Sequence, residues 1–189
     1  MVYLAFDTET TGLDPTKHNV LTAYFVLLDE SLNKIDSLAL SIRRGEYVVS
    51  AKALEINKID LVEHNKISAS LFESRKKFED FISPYNDLIC IGHNVQFDID
   101  FILSNKILSR ELYKKHFNIE KKVDTLLILR KIKNDRKLPS EQSLSLSKIT
   151  DFLNIKLVGN ENFHTAEYDI LITIELLKYI KERFDVEYI

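Results

Sequence analysis

The segment spanning residues 2–15 reads VYLAFDTETTGLDP. Val2 to Asp7 is an almost unbroken apolar run that ends in an acid. Such a run suits a central strand covered on both faces, since neither face carries the polar alternation of a half-exposed one. Asp7 and Glu9 then stand two residues apart. On an extended strand i and i+2 point to one side, so the two carboxylates converge at the strand's C-terminal end, where open α/β sheets place ligands. Two like charges side by side cost free energy unless a cation neutralises them. Gly12, Asp14 and Pro15 break the chain directly afterwards. An acid-x-acid pair carries little by itself. About four are expected by chance in a chain this acidic, and four occur, the others being Asp98/Asp100, Glu167/Asp169 and Asp185/Glu187. The pair at 7 and 9 gains weight because it ends an apolar strand and runs into Thr10-Thr11-Gly12, which packing alone does not explain.

Outward from this strand, Leu21 to Leu28 is rich in β-branched and aromatic residues and predicts a second strand. Ile35 to Ile42 alternates, with Leu38, Leu40 and Ile42 on one face and Ser37, Ala39 and Ser41 on the other, which predicts a half-covered third strand. Asp29 to Lys34 joins the two as a hairpin, so the first three strands are antiparallel. Helical spacing follows: Leu71, Phe78, Phe81 and Ile82 share a face between about Ser70 and Ser83. Leu88 to Ile91 predicts a fourth strand ending at Gly92, followed by a helix from about Gln96 through Leu103. Asp124 is placed to cap a further helix. Leu146, Ile149 and Leu153 keep helical spacing, although Ser143 to Ser147 alternates like a strand. Ala166, Ile170, Thr173, Ile174, Leu177 and Ile180 stripe a last helix to about Arg183. The order βββαβα, then helices, predicts a three-layer α/β fold: a mixed sheet of about five strands with helices on both faces. No internal repeat or linker interrupts it, so residues 1–189 are expected to form one domain.

The remaining composition excludes several classes. A chain of 189 residues with 45% hydrophobic and 29% charged residues can bury a core without disulfides. Its single cysteine, Cys90, rules out a cysteine-rich zinc site and reads as a buried, inert thiol within Leu88-Ile89-Cys90-Ile91. The apolar run at Leu21 to Leu28 is far too short to span a bilayer, and the N-terminus shows no signal-peptide pattern. No membrane association and a cytoplasmic location are expected. The net charge of −3 does not advertise a nucleic-acid binder. However, bound divalent ions that masked a carboxylate cluster would turn the local field positive.

Two further stretches bear chemistry. Gly92-His93-Asn94-Val95-Gln96-Phe97-Asp98-Ile99-Asp100-Phe101 begins where the fourth strand ends. With a helix starting near Val95, Phe97 and Phe101 point inward at i, i+4. Asp98 lies on the flank that can face Asp7 and Glu9, while Asp100 points elsewhere. The other stretch is His164-Thr165-Ala166-Glu167-Tyr168-Asp169. Five helical residues turn through a net 140°, so His164 and Asp169 converge only if His164 lies in the loop ahead of the helix.

Taken in order, FDTETTGLDP, GHNVQFDIDF and HTAEYD resemble the three motifs of the DEDDh 3′–5′ exonucleases, the DnaQ-like group of the ribonuclease H-like superfamily, which includes proofreading exonucleases and RNase T. The resemblance runs from about Val2 to Leu177. It implies a ribonuclease H-like fold and a set of roles. Asp7, Glu9, Asp98 and Asp169 match the metal-binding acids, and His164 matches the general base. Thr10 and Leu13 match positions that touch the terminal nucleotide, with Leu13 wedged against its base. His93 and Asn94, with Phe97 beside them, match positions supporting the substrate or the site. Asp14 and Asp124 read as structural.

The resemblance also implies the chemistry. Two Mg²⁺ or Mn²⁺ ions about 4 Å apart can supply a nucleophile, a stabilised leaving group and charge neutralisation, and hard oxygen ligands suit those ions. Asp7 is expected to bridge them, with Glu9 and Asp169 on one ion and Asp98 reaching the other through water. His164, neutral near pH 7, would take the proton of the attacking water. The expected partner is the 3′ end of single-stranded DNA, releasing nucleoside 5′-monophosphates in proofreading or repair, with a DNA polymerase as a further partner. The run Phe6 to Thr11 leans toward DNA over the RNA-trimming enzymes of the family. A non-catalytic polymerase-accessory module is the alternative from another class, and all five filled catalytic positions argue against it.

Overall fold

A computed structural model describes residues 1–157 and 165–184. Its centre is a six-stranded mixed sheet. Three antiparallel strands come first: β1 (Tyr3–Thr10), β2 (Val20–Leu28) and β3 (Lys34–Arg43). Asp7 pairs with Tyr24, and Glu9 with Thr22. Two short helices, α1 (Ala51–Asn57) and α2 (Leu61–Ile67), lead to the two-residue β4 (Ala69–Ser70) and to α3 (Leu71–Ile82). Then come β5 (Leu88–Gly92), α4 (Val95–Ser104), α5 (Arg110–His116), β6 (Phe117–Asp124), α6 (Thr125–Asn134), α7 (Leu146–Phe152) and α8 (Ala166–Arg183). β5 lies parallel to β1 on one side and to β6 on the other, giving the strand order β4-β3-β2-β1-β5-β6. Against the expected sheet of about five strands there are six, the four named from the sequence joined by β6 and the short β4.

The alternation of β1 decides the layers. Leu4 and Phe6 face one side and pack with Phe25, Phe78, Ile99 and Phe101, under α3 and α4. Tyr3 and Ala5 face the other and pack with Ile91, Ile170, Ile174 and Leu177, under α8. A third apolar cluster joins α6, α7 and α8 through Leu129, Ile132, Ile149, Leu176 and Ile180. Asp7 and Glu9 continue the α8-facing row, and Thr8 and Thr10 the α4-facing row. Every residue of β5 is buried, as a parallel strand covered on both faces requires. Cys90 is among them, and burial pushes its thiol up to about 12.

Local chemistry sets the ends. α3 begins with a capping box between Ser70 and Glu73. Asp124 caps α6 by accepting from the N–H groups of Leu126 and Leu127, as expected. The turn from β5 into α4 is tight: a Cβ on Gly92 would lie 2.9 Å from Val95 Cβ. Asn94 follows with φ 72°, a left-handed conformation that Asn tolerates. This turn brings the N-terminal end of α4, and Asp98 on its first turn, to the end of β1.

Candidate active site

Asp7 and Glu9 leave β1 on the α8 side, at the end where α8 begins. Thr165 caps that helix by accepting from Tyr168 N–H at 3.2 Å, which sets Asp169 on its first turn. One carboxylate oxygen from each of Asp7, Glu9 and Asp169 lies within 4.8 Å of the other two. Asp98 comes from the other layer. It is buried, and its Oδ1 accepts two bonds from Thr8: the hydroxyl at 2.7 Å and the backbone N–H at 3.0 Å. Thr8 therefore ties the fourth acid to the strand that carries the first two. Asp100 points away and is exposed, accepting from Gln96 at 2.8 Å.

The electrostatics follow from burial and crowding. Burial raises Asp7 well above the ordinary carboxylate range, and the charges of Asp98, Asp169 and Glu9 raise it further. Glu9 is pushed up to about 8 by burial and by Asp169 and Asp98. Asp98 is pushed up to about 7 by burial, against the lowering effect of the Thr8 hydrogen bonds. Among the described residues, the causes acting on Asp7, Glu9 and Asp98 are burial, neighbouring acids and hydrogen bonds. Converging carboxylates at this spacing, all hard oxygen donors, have the chemistry of a divalent-cation site, so the residues present fit the metal that the sequence implies.

The other expected site residues are placed as follows. Thr10 is buried, and its hydroxyl donates to Gly12 O at 2.7 Å, while its own carbonyl accepts from Asn57 Nδ2 at 3.1 Å. Leu13 stands 82% exposed on the loop after β1. That loop is folded tightly, since a Cβ on Gly12 would meet the His18 ring at 2.4 Å. Asp14 is structural as expected: its carboxylate accepts from the Thr16 hydroxyl at 2.6 Å and its N–H at 3.0 Å. Hydrogen bonds from Thr16 and Lys17 pull it down to about 2.

His93 has both ring nitrogens engaged by protein, Nε2 with Leu144 O at 2.9 Å and Nδ1 with the Thr125 hydroxyl at 2.9 Å. Burial lowers its pKa, favouring the neutral ring. It braces the β5–α4 turn against α6 and the segment before α7. Asn94 is exposed, and its N–H donates to Asp124 Oδ1 at 3.0 Å. Phe97 is half-buried against Phe101, ring centroids 4.7 Å apart. His164 lies outside the described residues. Sequence reasoning missed Thr8, which alternation alone places on the α4 side, and Asn57, for which no local signal exists. A cleft of about 330 Å³ opens beside Glu9, floored by Thr22, Tyr24 and Ala39 and flanked by Asn57, Thr165 and Glu167.

A mixed sheet with helices on both faces, whose first strand, fourth helix and last helix deliver four acids to one end, defines a ribonuclease H-like nuclease architecture. The exonuclease family model, RNase_T, matches residues 4–177, and the chain belongs to this exonuclease family. It is 29% identical over 195 residues to the PolC-type DNA polymerase III of Pediococcus pentosaceus, covering 98% of the present chain and 12% of that polymerase. Its fold is similar to that of Escherichia coli Exonuclease I in complex with a dT13 oligonucleotide, at a TM-score of 0.76 and 19% identity. That match covers 96% of the present chain and 41% of the other. It is equally similar to Exonuclease I of Methylocaldum szegediense, at a TM-score of 0.77 and 19% identity, over 97% and 41% of the two chains. The chain thus spans a small part of the polymerase and about two fifths of Exonuclease I. No helix among the described residues is long and apolar enough to cross a membrane.

Proposed function

We propose that this chain hydrolyses DNA, mainly single-stranded, from its 3′ end and releases nucleoside 5′-monophosphates. The observation that carries the reading is the convergence of Asp7, Glu9 and Asp169 within 4.8 Å, with buried Asp98 held against the same strand by Thr8. Membership of the exonuclease family supports hydrolysis. The likeness to a PolC-type polymerase and to an Exonuclease I bound to an oligothymidylate supports DNA over RNA, and the polymerase supports a role in proofreading or repair with a polymerase as partner.

Asp7, Glu9, Asp98 and Asp169 would hold two divalent cations, Mg²⁺ or Mn²⁺. When bound, these neutralise the phosphate and activate water for an in-line displacement. The chain's own residues do the rest. Thr8 orients Asp98 and favours its ionised form. The cleft beside Glu9 seats the terminal nucleotide, with Thr10 shaping its wall and Leu13 packing against the base. His93, Asn94 and Phe97 hold the β5–α4 turn in position. His164 serves as general base, removing a proton from the attacking water.

A 5′-labelled single strand incubated with the protein and Mg²⁺ tests the reading. It should give a descending ladder, with 5′-monophosphates as product, and a 3′-phosphate should slow it. Efficient cutting of a closed circular single strand would refute an exonuclease. Faster decay of a matched RNA would refute the preference for DNA.

A further inference from the structure

The chain's basic charge is unevenly placed. Residues 130–137 hold five basic side chains, Arg130, Lys131, Lys133, Arg136 and Lys137, against the single acid Asp135. The whole chain carries −3, so this octapeptide runs against the sign of the rest. α6 explains how it is displayed. Thr125, Leu129 and Ile132 are buried, which turns Leu127, Arg130, Lys131 and Asn134 outward at i, i+3, i+4 and i+7. Arg136 and Lys137 continue the exposed surface in the turn that follows. Lys133 has a structural task, donating to Gln142 O at 2.7 Å. The other four cations enter no ion pair among the described residues, whose salt bridges form elsewhere.

The stripe also starts at the acidic site. α6 springs from Asp124, which accepts from Asn94 N–H beside Asp98, and the charge of Arg130 is close enough to act on His93. At 1.5 Å per residue, Arg130 lies about 9 Å along the helix from Asp124 and Asn134 about 15 Å. Leu127, 56% exposed, precedes the first cation on the same face of α6. An apolar side chain followed by a file of cations suits a polyanion with bases attached, since cations bind phosphates and release counterions while apolar side chains meet bases.

We propose that this outer stripe of α6 and its following turn form a ridge that grips the backbone of a single-stranded nucleic acid upstream of its 3′ end. The inference rests on the nuclease reading above. At roughly 3.4 Å per stacked nucleotide, cations about 10–20 Å along α6 and its turn from Asp124 would address phosphates about three to six nucleotides upstream. The ridge adds attraction for substrate to a chain whose net charge is −3.

The full-length quadruple variant R130E/K131E/R136E/K137E tests this, with R130Q/K131Q/R136Q/K137Q as a milder version should the reversal disturb folding. Binding of an oligothymidylate of about twenty nucleotides, read by fluorescence anisotropy in EDTA, should weaken at least tenfold at about 0.1 M salt. The slope of log affinity against log salt should flatten by about 0.7 for each phosphate that the ridge no longer neutralises. In Mg²⁺, kcat/KM on that oligomer should fall by a similar factor, while a trinucleotide too short to reach the ridge is cleaved within about twofold of wild type. Unchanged affinity and slope would overturn the proposal and leave the ridge to an acidic protein. Equal loss on the trinucleotide would overturn it too, by showing damage to the site. A wild type inert on both lengths in Mg²⁺ would sink the nuclease reading alone, because the binding arm decides the ridge without catalysis.

Discussion

Glu9→Gln offers a direct measure of the crowding in the acidic site. In the metal-free protein the Glu9 carboxyl is pushed up from 4.5 to about 8, by burial first and by Asp169 and Asp98 next. The unfolded chain releases that proton near 4.5. Between about pH 4.5 and 8 the folded state therefore holds a proton that the unfolded state has lost. Stability falls as pH rises through that window. Below it both states are protonated and no penalty exists; above it the penalty is complete. At about 1.4 kcal/mol per pH unit, the rise sets a ceiling of roughly 5 kcal/mol. Glu9 is half-buried and the metal-free site can admit water, so about 2–3 kcal/mol is the reasonable share. Glutamine keeps the shape and removes the charge, which also relieves Asp7. In EDTA at pH 8.5 the variant should melt about 5–10 °C above wild type, taking 2–4 °C per kcal/mol for a chain of this size. At pH 5 the difference should close. Saturating Mg²⁺ should invert the order, because ligand binding stabilises the wild type more than a variant short of one ligand. Scanning calorimetry across these conditions reads all three. A variant that melts at or below wild type in EDTA at pH 8.5, or by the same margin at both pH values, refutes the reasoning.

Asp7→Ala should abolish hydrolysis while circular dichroism and the metal-free melting temperature are kept or improved; activity within tenfold of wild type would remove Asp7 from the metal site. Thr8→Val deletes the hydroxyl donated to Asp98 at 2.7 Å but leaves the backbone N–H at 3.0 Å. It should raise the Asp98 pKa and lower kcat about tenfold near neutral pH, with the acidic limb of the pH–rate profile moving to higher pH and activity recovering as pH rises; an unmoved limb would show that Thr8 does not control Asp98. His164→Ala should lower kcat by about 10²–10⁴ while metal-dependent binding of single-stranded DNA survives, and a rate and profile equal to wild type would show His164 to be a bystander.

Where periodicity was strong the fold was readable from the sequence. β1, β2, β3 and β5, the helices around 71–82 and 95–104, and the long α8 all stand within a few residues of where apolar spacing placed them. What was missed failed for identifiable reasons. β6 has buried ends, Phe117 and Val123, but its middle, Glu120-Lys121-Lys122, is charged and exposed, and its register with β5 is broken between Leu88 and Cys90. An edge strand blunted by charge carries no alternation to detect. α1, α2 and α5 are seven residues each, too short for a moment to rise above noise. β4 is two residues defined as a strand by its pairing with Ile42 and Arg43, a tertiary interaction that no local pattern announces.

The carboxylates were legible for a different reason than the strands and helices. Asp7 and Glu9 break a rule that the rest of β1 obeys: they continue, with charge, the row that Tyr3 and Ala5 begin with apolar packing against α8. Asp98 sits on the first turn of α4 and is buried, where a packing residue would serve stability better than an acid raised to about 7. Asp169 joins them from the last helix, at the far end of the chain from β1, so no local reading could bring it there. Folding incurs a charge penalty at Asp7, Glu9 and Asp98. Asp7 and Glu9 stand out through that departure from good packing, whereas Asp98 and Asp169 are assigned through the resemblance of their motifs to the exonuclease family. Thr8 shows the limit of the same logic. It is small, polar and buried on the side where alternation puts it, and only the observed bonds to Asp98 distinguish it from an ordinary strand threonine. Charge that violates packing can be found from sequence, whereas the neutral residues that hold such charge in place become visible only once the chain is folded.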